Sequence, residues 1–560
     1  MVLISFAVDF LLVMCYHYIT RRAIIMAQIK QFDPRSGITY VYESISYWDK
    51  EKQQSRSKRN LIGKIDKESG KIVPTDGRGK NRGKKKQNVI TQCETSKIVK
   101  SRRYFYGSTF LLNEISQKLG IQEDLKASFP DTYKQILSVA YFMILEDPSP
   151  LTRFEKWDRL HKHPYGKNIS SQRASDLFAS ITEDGKNKYF SRQQQRHSED
   201  EYSAYDTTSI TSYSELLKQV ALGKNKEDEK MPHLNLALVF GEKSMIPFYY
   251  RKLAGNISDV LTIRNLLTDF KVLRFEKMKL ILDRGFYSEK NINELMKSRL
   301  KFLIGTKISI SFVKKELDQV YDELTTFDKL NEQYDLYSMT LPTEWNYTQN
   351  RPNKGDVLKE KRRIYLHLYY NIDKATEEKK WFDRKIAACY KELLSGKREA
   401  KHDSYYKKYF TVNKTPKRGI KVSVKQKEID KAKRYHGYFA LLSNEKMDSI
   451  KAIHKYRGKD VIEKSFGNLK ERLNMRRTLV SSEQSLDGKI FVGFVGLVLL
   501  SYIRNKMHEA ELFKKYTMQS LFDTLDVIEY FENPGVTPHV GEILKKQMEL
   551  YQALGVPIPS

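Results

Sequence analysis

The chain has 560 residues, room for two or three domains by the usual size of a domain, and its 99 Lys and Arg against 69 Asp and Glu leave a net charge of +30. That excess points to a polyanionic partner, nucleic acid foremost, although anionic membranes and ribosomal RNA share the attraction. Cys15, Cys93 and Cys389 stand apart with no Cys-x-x-Cys pair, which argues against a disulfide-stapled scaffold or a zinc ribbon and suits a reducing cytoplasm.

Val2 to Cys15 is apolar except for Ser5 and Asp9. No basic residue precedes the run, no small-residue cleavage site follows it, and it is shorter than the ~20 residues of a spanning helix. Residues 1–25 are therefore expected to be an upstream extension, with Met26 opening the working protein. Residues 26–105 read as two or three short strands, including Ile38 to Tyr42, followed by a basic arm. Between Lys71 and Arg103 eleven Lys or Arg face only Asp76 and Glu94, a composition that buries little surface and draws phosphates.

Residues 106–200 read as a small helical domain able to read DNA ends, since Leu111, Leu112, Ile115 and Leu119 recur at helical spacing before Gly120, and Ile136 to Leu145 is a second apolar stretch. His161 and His163, two apart before Pro164, read as a solvated loop rather than a metal site. From Glu201 the period shortens: Tyr202 to Asp206, Leu234 to Phe240, Ile246 to Tyr250 and Met278 to Leu282 read as strands, with a helix over Val260 to Phe270. A helix over Glu289 to Leu300 and a strand at Phe302 to Ile304 complete the first part of a mixed α/β core, residues 201–309.

Residues 310–434, dense in Lys, Glu and Tyr and helical from Lys374 to Lys401, read as an insertion. The core resumes over 435–510 with the strand Tyr438 to Leu442. The 14 apolar residues Ile490 to Ile503, flanked by Lys489 and Arg504, read as a buried helix rather than a membrane span. Residues 511–560 are expected to be a helical tail.

Three acidic residues in this frame stand out. Asp206, in Tyr205-Asp206-Thr207-Thr208-Ser209, and Asp283, in Leu282-Asp283-Arg284-Gly285, end apolar strands, where a rigid sheet holds a charged side chain at the rim of a cleft. Glu463 lies in an amphipathic helical pattern. With Tyr456 as origin and 100° per residue, Lys459, Glu463 and Lys470 join it within an arc of about 60°, while Ile462, Phe466, Leu469 and Leu473 form an adjoining apolar stripe. Gly458 and Gly467 place the true helix start near Asp460, with Tyr456 on the preceding turn. Three such carboxylates suit two hard divalent cations and phosphodiester chemistry.

In these residues the chain resembles bacterial insertion-sequence transposases of the DDE type, the group whose third acid lies in a Tyr-x2-Arg-x3-Glu-x6-Lys signature. Tyr456, Glu463 and Lys470 match it. Lys459 replaces the arginine, keeping the charge but losing the bidentate geometry, with Arg457 on a different helix face as its possible substitute. Tyr205-Asp206-Thr207-Thr208 resembles the segment of the first aspartate and Asp283-Arg284-Gly285-Phe286 that of the second. The resemblance implies a ribonuclease-H-like mixed-sheet core interrupted by an insertion domain. It also implies Asp206, Asp283 and Glu463 as catalytic ligands of two Mg²⁺ ions, with Mn²⁺ able to substitute, and Tyr456, Lys459, Lys470, Arg284 and Arg457 as DNA-binding residues. The implied reaction is cutting at terminal inverted repeats, often through a hairpin intermediate, and joining of the 3′-OH ends to target DNA. A homodimer in the synaptic complex, no membrane, and a nucleoid-associated place in the bacterial cytoplasm complete the expectation. The alternatives are a ribonuclease-H-like nuclease without strand transfer, or a basic DNA-binding protein without catalysis.

Overall fold

The computed structural model describes residues 26–49, 54–67, 69–75 and 101–560, apart from the short stretches 147–148, 197–200, 213, 215–216, 224–230, 276, 352–354, 416–418, 479 and 481. The expected upstream extension and most of the expected basic arm lie outside these residues. The chain divides into two compact units, residues 1–97 and 98–560.

In the first unit, β1 (Met26–Asp33), β2 (Ile38–Asp49), β3 (Gln54–Ile65) and β4 (Ile72–Val73) make an antiparallel meander. The β1–β2 turn closes with the Gly37 amide donating to the Asp33 carbonyl at 2.9 Å, and Gly37 takes φ +64°, a region open to glycine. Val41 is fully buried, whereas Phe32 and Leu61 are exposed.

The second unit begins with β5 (Arg102–Phe105) and six helices: α1 (Gly107–Lys118), α2 (Ile121–Ser128), α3 (Tyr133–Leu145), α4 (Phe154–Leu160), α5 (Ser171–Ser180) and α6 (Glu183–Gln195). A long sheet follows. β6 (Tyr202–Ser212), β7 (His233–Gly241) and β8 (Pro247–Ala254) form an antiparallel meander. Helix α7 (Asp259–Val272) returns the chain to β9 (Lys279–Leu282), parallel to β6, and α8 (Glu289–Lys297) leads to β10 (Lys301–Thr306), parallel to β9. In space the order is β8-β7-β6-β9-β10, and the two parallel steps each need the helical crossover that the sequence pattern supplies.

Segment 310–434 does not stand apart from this sheet. After α9 (Ser311–Gln319) and the short β11 (Leu330–Asn331), β12 (Leu336–Arg351) and β13 (Asp356–Tyr370) form a long ribbon whose base joins β16 (Tyr438–Ser443), itself paired with β10. Between β13 and β16 lie α10 (Ile372–Ser395), α11 (Asp403–Tyr409), the hairpin β14 (Phe410–Thr415) and β15 (Gly419–Val424), and α12 (Gln426–Lys433), with a small apolar core of their own.

Both faces of the sheet are covered, as the alternation along β8 shows. Tyr249 packs against Phe270 and Phe275 on the α7 side (6.2 and 5.8 Å between ring centres), whereas Tyr250 meets Phe494 of α15 (Glu483–Glu509) at 5.1 Å. Helix α15 follows two shorter helices, α13 (Ser449–Arg457) and α14 (Asp460–Gly467). It is 27 residues long, nearly twice the apolar run read from sequence, and is long and apolar enough to cross a membrane by length and composition. Here 89% of its most apolar window is buried inside the protein. The C-terminal segment is not wholly helical: after α16 (Met518–Asp526), β17 (Glu529–Glu532) pairs with β5 and with β18 (His539–Val540), before α17 (Lys545–Ala553).

Candidate active site

Strand pairing brings the two aspartates together. Tyr205 of β6 lies opposite Leu282 of β9 at the end of their parallel register, and Asp206 and Asp283 are the next residues along the two strands. Alternation along β6 sorts the faces. Tyr205 packs on Phe286 (5.1 Å) and Thr207 Oγ1 donates to Asp259 Oδ1 (2.7 Å), both on the α7 side. Asp206 therefore turns to the opposite face, where α14 packs on β6.

Asp283 ends β9 and caps the turn Arg284–Phe286, which buried Phe286 anchors. Three donors converge on its Oδ1: the Arg284 amide at 2.8 Å, the Tyr456 hydroxyl at 2.6 Å and the Lys459 ammonium at 3.0 Å. Burial pushes the carboxyl pKa up, but the Tyr456 hydrogen bond and the charge and contact of Lys459 outweigh it and leave the group below its usual value. Tyr456 moves the opposite way. Burial first, then the neighbouring Asp283 charge, raises its phenol well above the ordinary tyrosine range.

The segment carrying Tyr456 and Lys459 is held from behind. Lys455 pairs with Glu242 at 3.2 Å, both largely buried, and lies 4.7 Å over the ring of Tyr202, whose hydroxyl donates to Glu445 at 2.6 Å. Helix α13 ends at Arg457 and α14 starts at Asp460, so the start expected from Gly458 holds, while Tyr456 sits in the last turn of a separate helix rather than on a turn. Buried Ile462 and Phe466 press α14 against the core, and Glu463 on the same helix is exposed. The oxygens of Asp206, Asp283 and Glu463 do not all lie within 4.8 Å of one another.

Lys470 does not share the exposure of Glu463. A π-turn over Asn468–Arg472 changes the angular step just before it, and the side chain is 9% exposed. A wheel drawn with a single 100° step misses that change. Arg284 and Arg457 are exposed along a cleft that also takes in Asp283, Gly305 and Lys374. Arg457 lies 4.9 Å from the ring of Tyr334. The two histidines expected in a solvated loop are buried instead. His161 contacts Asp526 at 2.9 Å and stacks on Trp157, and His163 contacts Asp158 at 2.8 Å.

Sequence reasoning missed three residues here. Gly305 on β10 leaves room for the Tyr456 hydroxyl: a Cβ there would lie 2.6 Å from Tyr456 Oη and 3.0 Å from the Arg284 nitrogen. Its signal was a glycine inside an apolar strand, which often marks close approach. Asp259, at the start of α7, is a further carboxylate beside the turn, with an oxygen 3.5 Å from where a Gly285 Cβ would sit. Lys374 on α10 reaches the cleft from the inserted segment, and nothing in its charged surroundings marked it.

An ionised Asp283 that already holds an ammonium at 3.0 Å, beside a second carboxylate one register step away, is an oxygen donor set that fits a hard divalent cation. No curated protein matches the chain. Among solved structures it is similar to the cryo-EM structure of a piggyBac transposase synaptic complex with hairpin DNA, at 10% identity over 74% of this chain and 70% of that one, with a TM-score of 0.29, too slight a likeness to bear on function. The family model described as "Transposase DDE domain" matches residues 197–499, a span containing Asp206, Asp283 and Glu463 and more than half of the chain, so the protein belongs to the DDE transposase family.

Proposed function

We propose that the chain is a DNA transposase that cuts at the terminal inverted repeats of a mobile element and joins the 3′-OH ends to target DNA. The observation that carries this reading is the parallel register that ends with Tyr205 opposite Leu282, so that Asp206 and Asp283 follow next on adjacent strands, with Tyr456 and Lys459 fixed on Asp283 and Glu463 on the next helix. The order β8-β7-β6-β9-β10, three antiparallel strands and then two parallel to the first, supports a ribonuclease-H-like core. In this reading Asp206, Asp283 and Glu463 hold two Mg²⁺ ions.

Bound there, the ions would lower the pKa of an attacking water or hydroxyl and stabilise the departing 3′ oxygen. The chain's own groups do the rest. Tyr456 and the Arg284 amide fix the carboxylate of Asp283, so that its geometry is set before substrate arrives. Lys459, Arg284, Arg457 and Lys374 line the approach with positive charge that positions phosphates without reading sequence. Glu463, on a helix anchored by Ile462 and Phe466, would complete the donor set. DNA synapsis is assigned to a pair of chains.

Asp283→Asn should lower Mg²⁺-dependent cleavage of an inverted-repeat duplex by at least ~10²-fold, the scale of losing an electrostatic catalytic group, while gel-shift binding of that duplex stays within about twofold. Robust nicking by the variant would remove the assignment. Incubating precleaved 3′-OH ends with plasmid separates a transposase from a nuclease of the same core, since only the former joins them.

A further inference from the structure

Behind the site, the turn from β7 to β8 is held more tightly than a chain reversal needs. The Glu242 amide donates to the Tyr202 carbonyl at 2.7 Å, and the Met245 amide to the Gly241 carbonyl at 3.0 Å. The buried Glu201 carboxylate accepts from the amides of Lys243 and Ser244, and Asn505 of α15 donates to the Ser244 carbonyl at 2.9 Å. Met245 takes φ +54°, a left-handed conformation that is unfavourable for a residue with a Cβ and persists only where its surroundings impose it.

What this clamped turn presents is Glu242, the residue at its head. The side chain runs beneath the break between α13 and α14. Oε2 contacts the Lys455 ammonium at 3.2 Å, the two side chains being 9% and 12% exposed, and a Cβ on Gly458 would lie 3.1 Å from Glu242 Cγ. These two contacts bracket Tyr456 and Arg457, and Lys459 is the next residue. A twist of α13 by about 10° moves a group about 8 Å from its axis by about 1.4 Å. The 2.6 Å hydrogen bond from Tyr456 to Asp283 does not survive a displacement of that size. An ion pair that only tied two elements together would need neither the strained turn nor a place against these two residues.

We propose that Glu242 is a positioning residue of the active site. Through Lys455 and the backbone at Gly458 it fixes the rotation of the last turn of α13 and the direction of the break, and so keeps the Tyr456 hydroxyl and the Lys459 ammonium on Asp283. The inference rests on the transposase reading, in which Asp283 serves the cleavage step.

The test is single-turnover cleavage of an inverted-repeat duplex by the full-length chain, with the maximal rate and the half-saturating DNA concentration read separately. Glu242→Met keeps the bulk that packs on Gly458 and removes the carboxylate. It should lower the maximal rate by ~10- to 100-fold, the scale of an ångström-sized misplacement, with half-saturation within about twofold. Leaving Lys455 without its carboxylate also lowers stability, so the double variant Glu242→Met/Lys455→Met separates the two roles. Its urea midpoint should return to that of the unsubstituted chain while its rate stays low. In a Tyr456→Phe background, Glu242→Met should add less than about threefold to the loss, since both release the same contact. Recovery of the rate together with the midpoint, a change confined to half-saturation, or losses that multiply in the Tyr456→Phe background would each overturn the positioning role. Robust nicking by Asp283→Asn would overturn it together with the transposase reading, which the other three outcomes leave standing.

Discussion

Asp283 accepts from a phenol, an ammonium and a backbone amide through one oxygen, and that convergence sets its titration. A carboxyl whose folded pKa is depressed contributes stability that is fully present above its unfolded value, about 3.9, and is lost as pH falls through the folded value below it. The stability difference between the unsubstituted chain and Asp283→Asn should therefore stay level from pH 8 to about pH 5 and shrink only in the acid range, as read by urea denaturation at each pH. Tyr456→Phe removes the strongest lowering contact and should make that shrinkage smaller and complete at a higher pH. A difference that grew as pH fell would mean that the carboxyl is neutral in the folded chain. Gly305 belongs to the same account, because a Cβ 2.6 Å from the Tyr456 oxygen cannot be accommodated while the hydroxyl stays on Asp283. Tyr456→Phe and Gly305→Ala should each slow end cleavage to a similar extent, and combining the two should add little, since both remove one contact. Full additivity of the two rate losses would place Gly305 elsewhere in the mechanism. At this scale Asp283 was legible as the end of an apolar strand, whereas Asp206, expected to end one too, lies inside β6, which runs on to Ser212. Gly305, Asp259 and Lys374 were not legible, because each acts through a neighbour brought near only by folding.

The elements differ in how plainly their residues announced them. β9, β10 and β16 contain short apolar runs, and β7 one broken only by Asn235, because both faces of the sheet are covered. The ribbon β12–β13 gave no such signal: its outer half is paired only with itself and largely exposed, so charged residues interrupt its alternation and segment 310–434 read as an insertion whose one stated element was the helical section from Lys374 to Lys401. The Tyr456–Lys470 segment misled in another way, since the break between α13 and α14 and the π-turn after Gly467 each change the angular step that a uniform wheel assumes. Helix α15 supplies the element-scale prediction. At Gly488 it crosses α5 so closely that a Cβ would lie 2.0 Å from the Phe178 carbonyl oxygen and 2.5 Å from its carbonyl carbon. Both obstacles are backbone, so neither can rotate aside. Gly488→Ala should destabilise the second unit by ~1–3 kcal/mol or more, seen as a lower urea midpoint with an unchanged slope. An unchanged midpoint would mean that the two helices can slide apart at little cost.

For the whole molecule the dominant quantity is charge. A net +30 spread over 560 residues draws any polyanion, and the cleft at Asp283 accounts for only a handful of the cations. Between Lys71 and Arg103 eleven basic residues face two acids, and all but the last few precede residue 98, where the second compact unit begins. This division makes the contribution of the first unit measurable. Each phosphate contact released by a protein on duplex DNA takes about 0.9 from the slope of log affinity against log salt. A chain comprising 98–560 contains the whole sheet, Asp206, Asp283 and Glu463, so it should keep its thermal transition and metal-dependent nicking of an end duplex at low salt. Its salt slope should nevertheless be shallower than that of the full chain by several units, with affinity falling most at low ionic strength, where the lost cations contribute most. Equal slopes for the two chains would show that residues 1–97 carry charge without placing it on DNA, and the excess would then serve solubility rather than recognition.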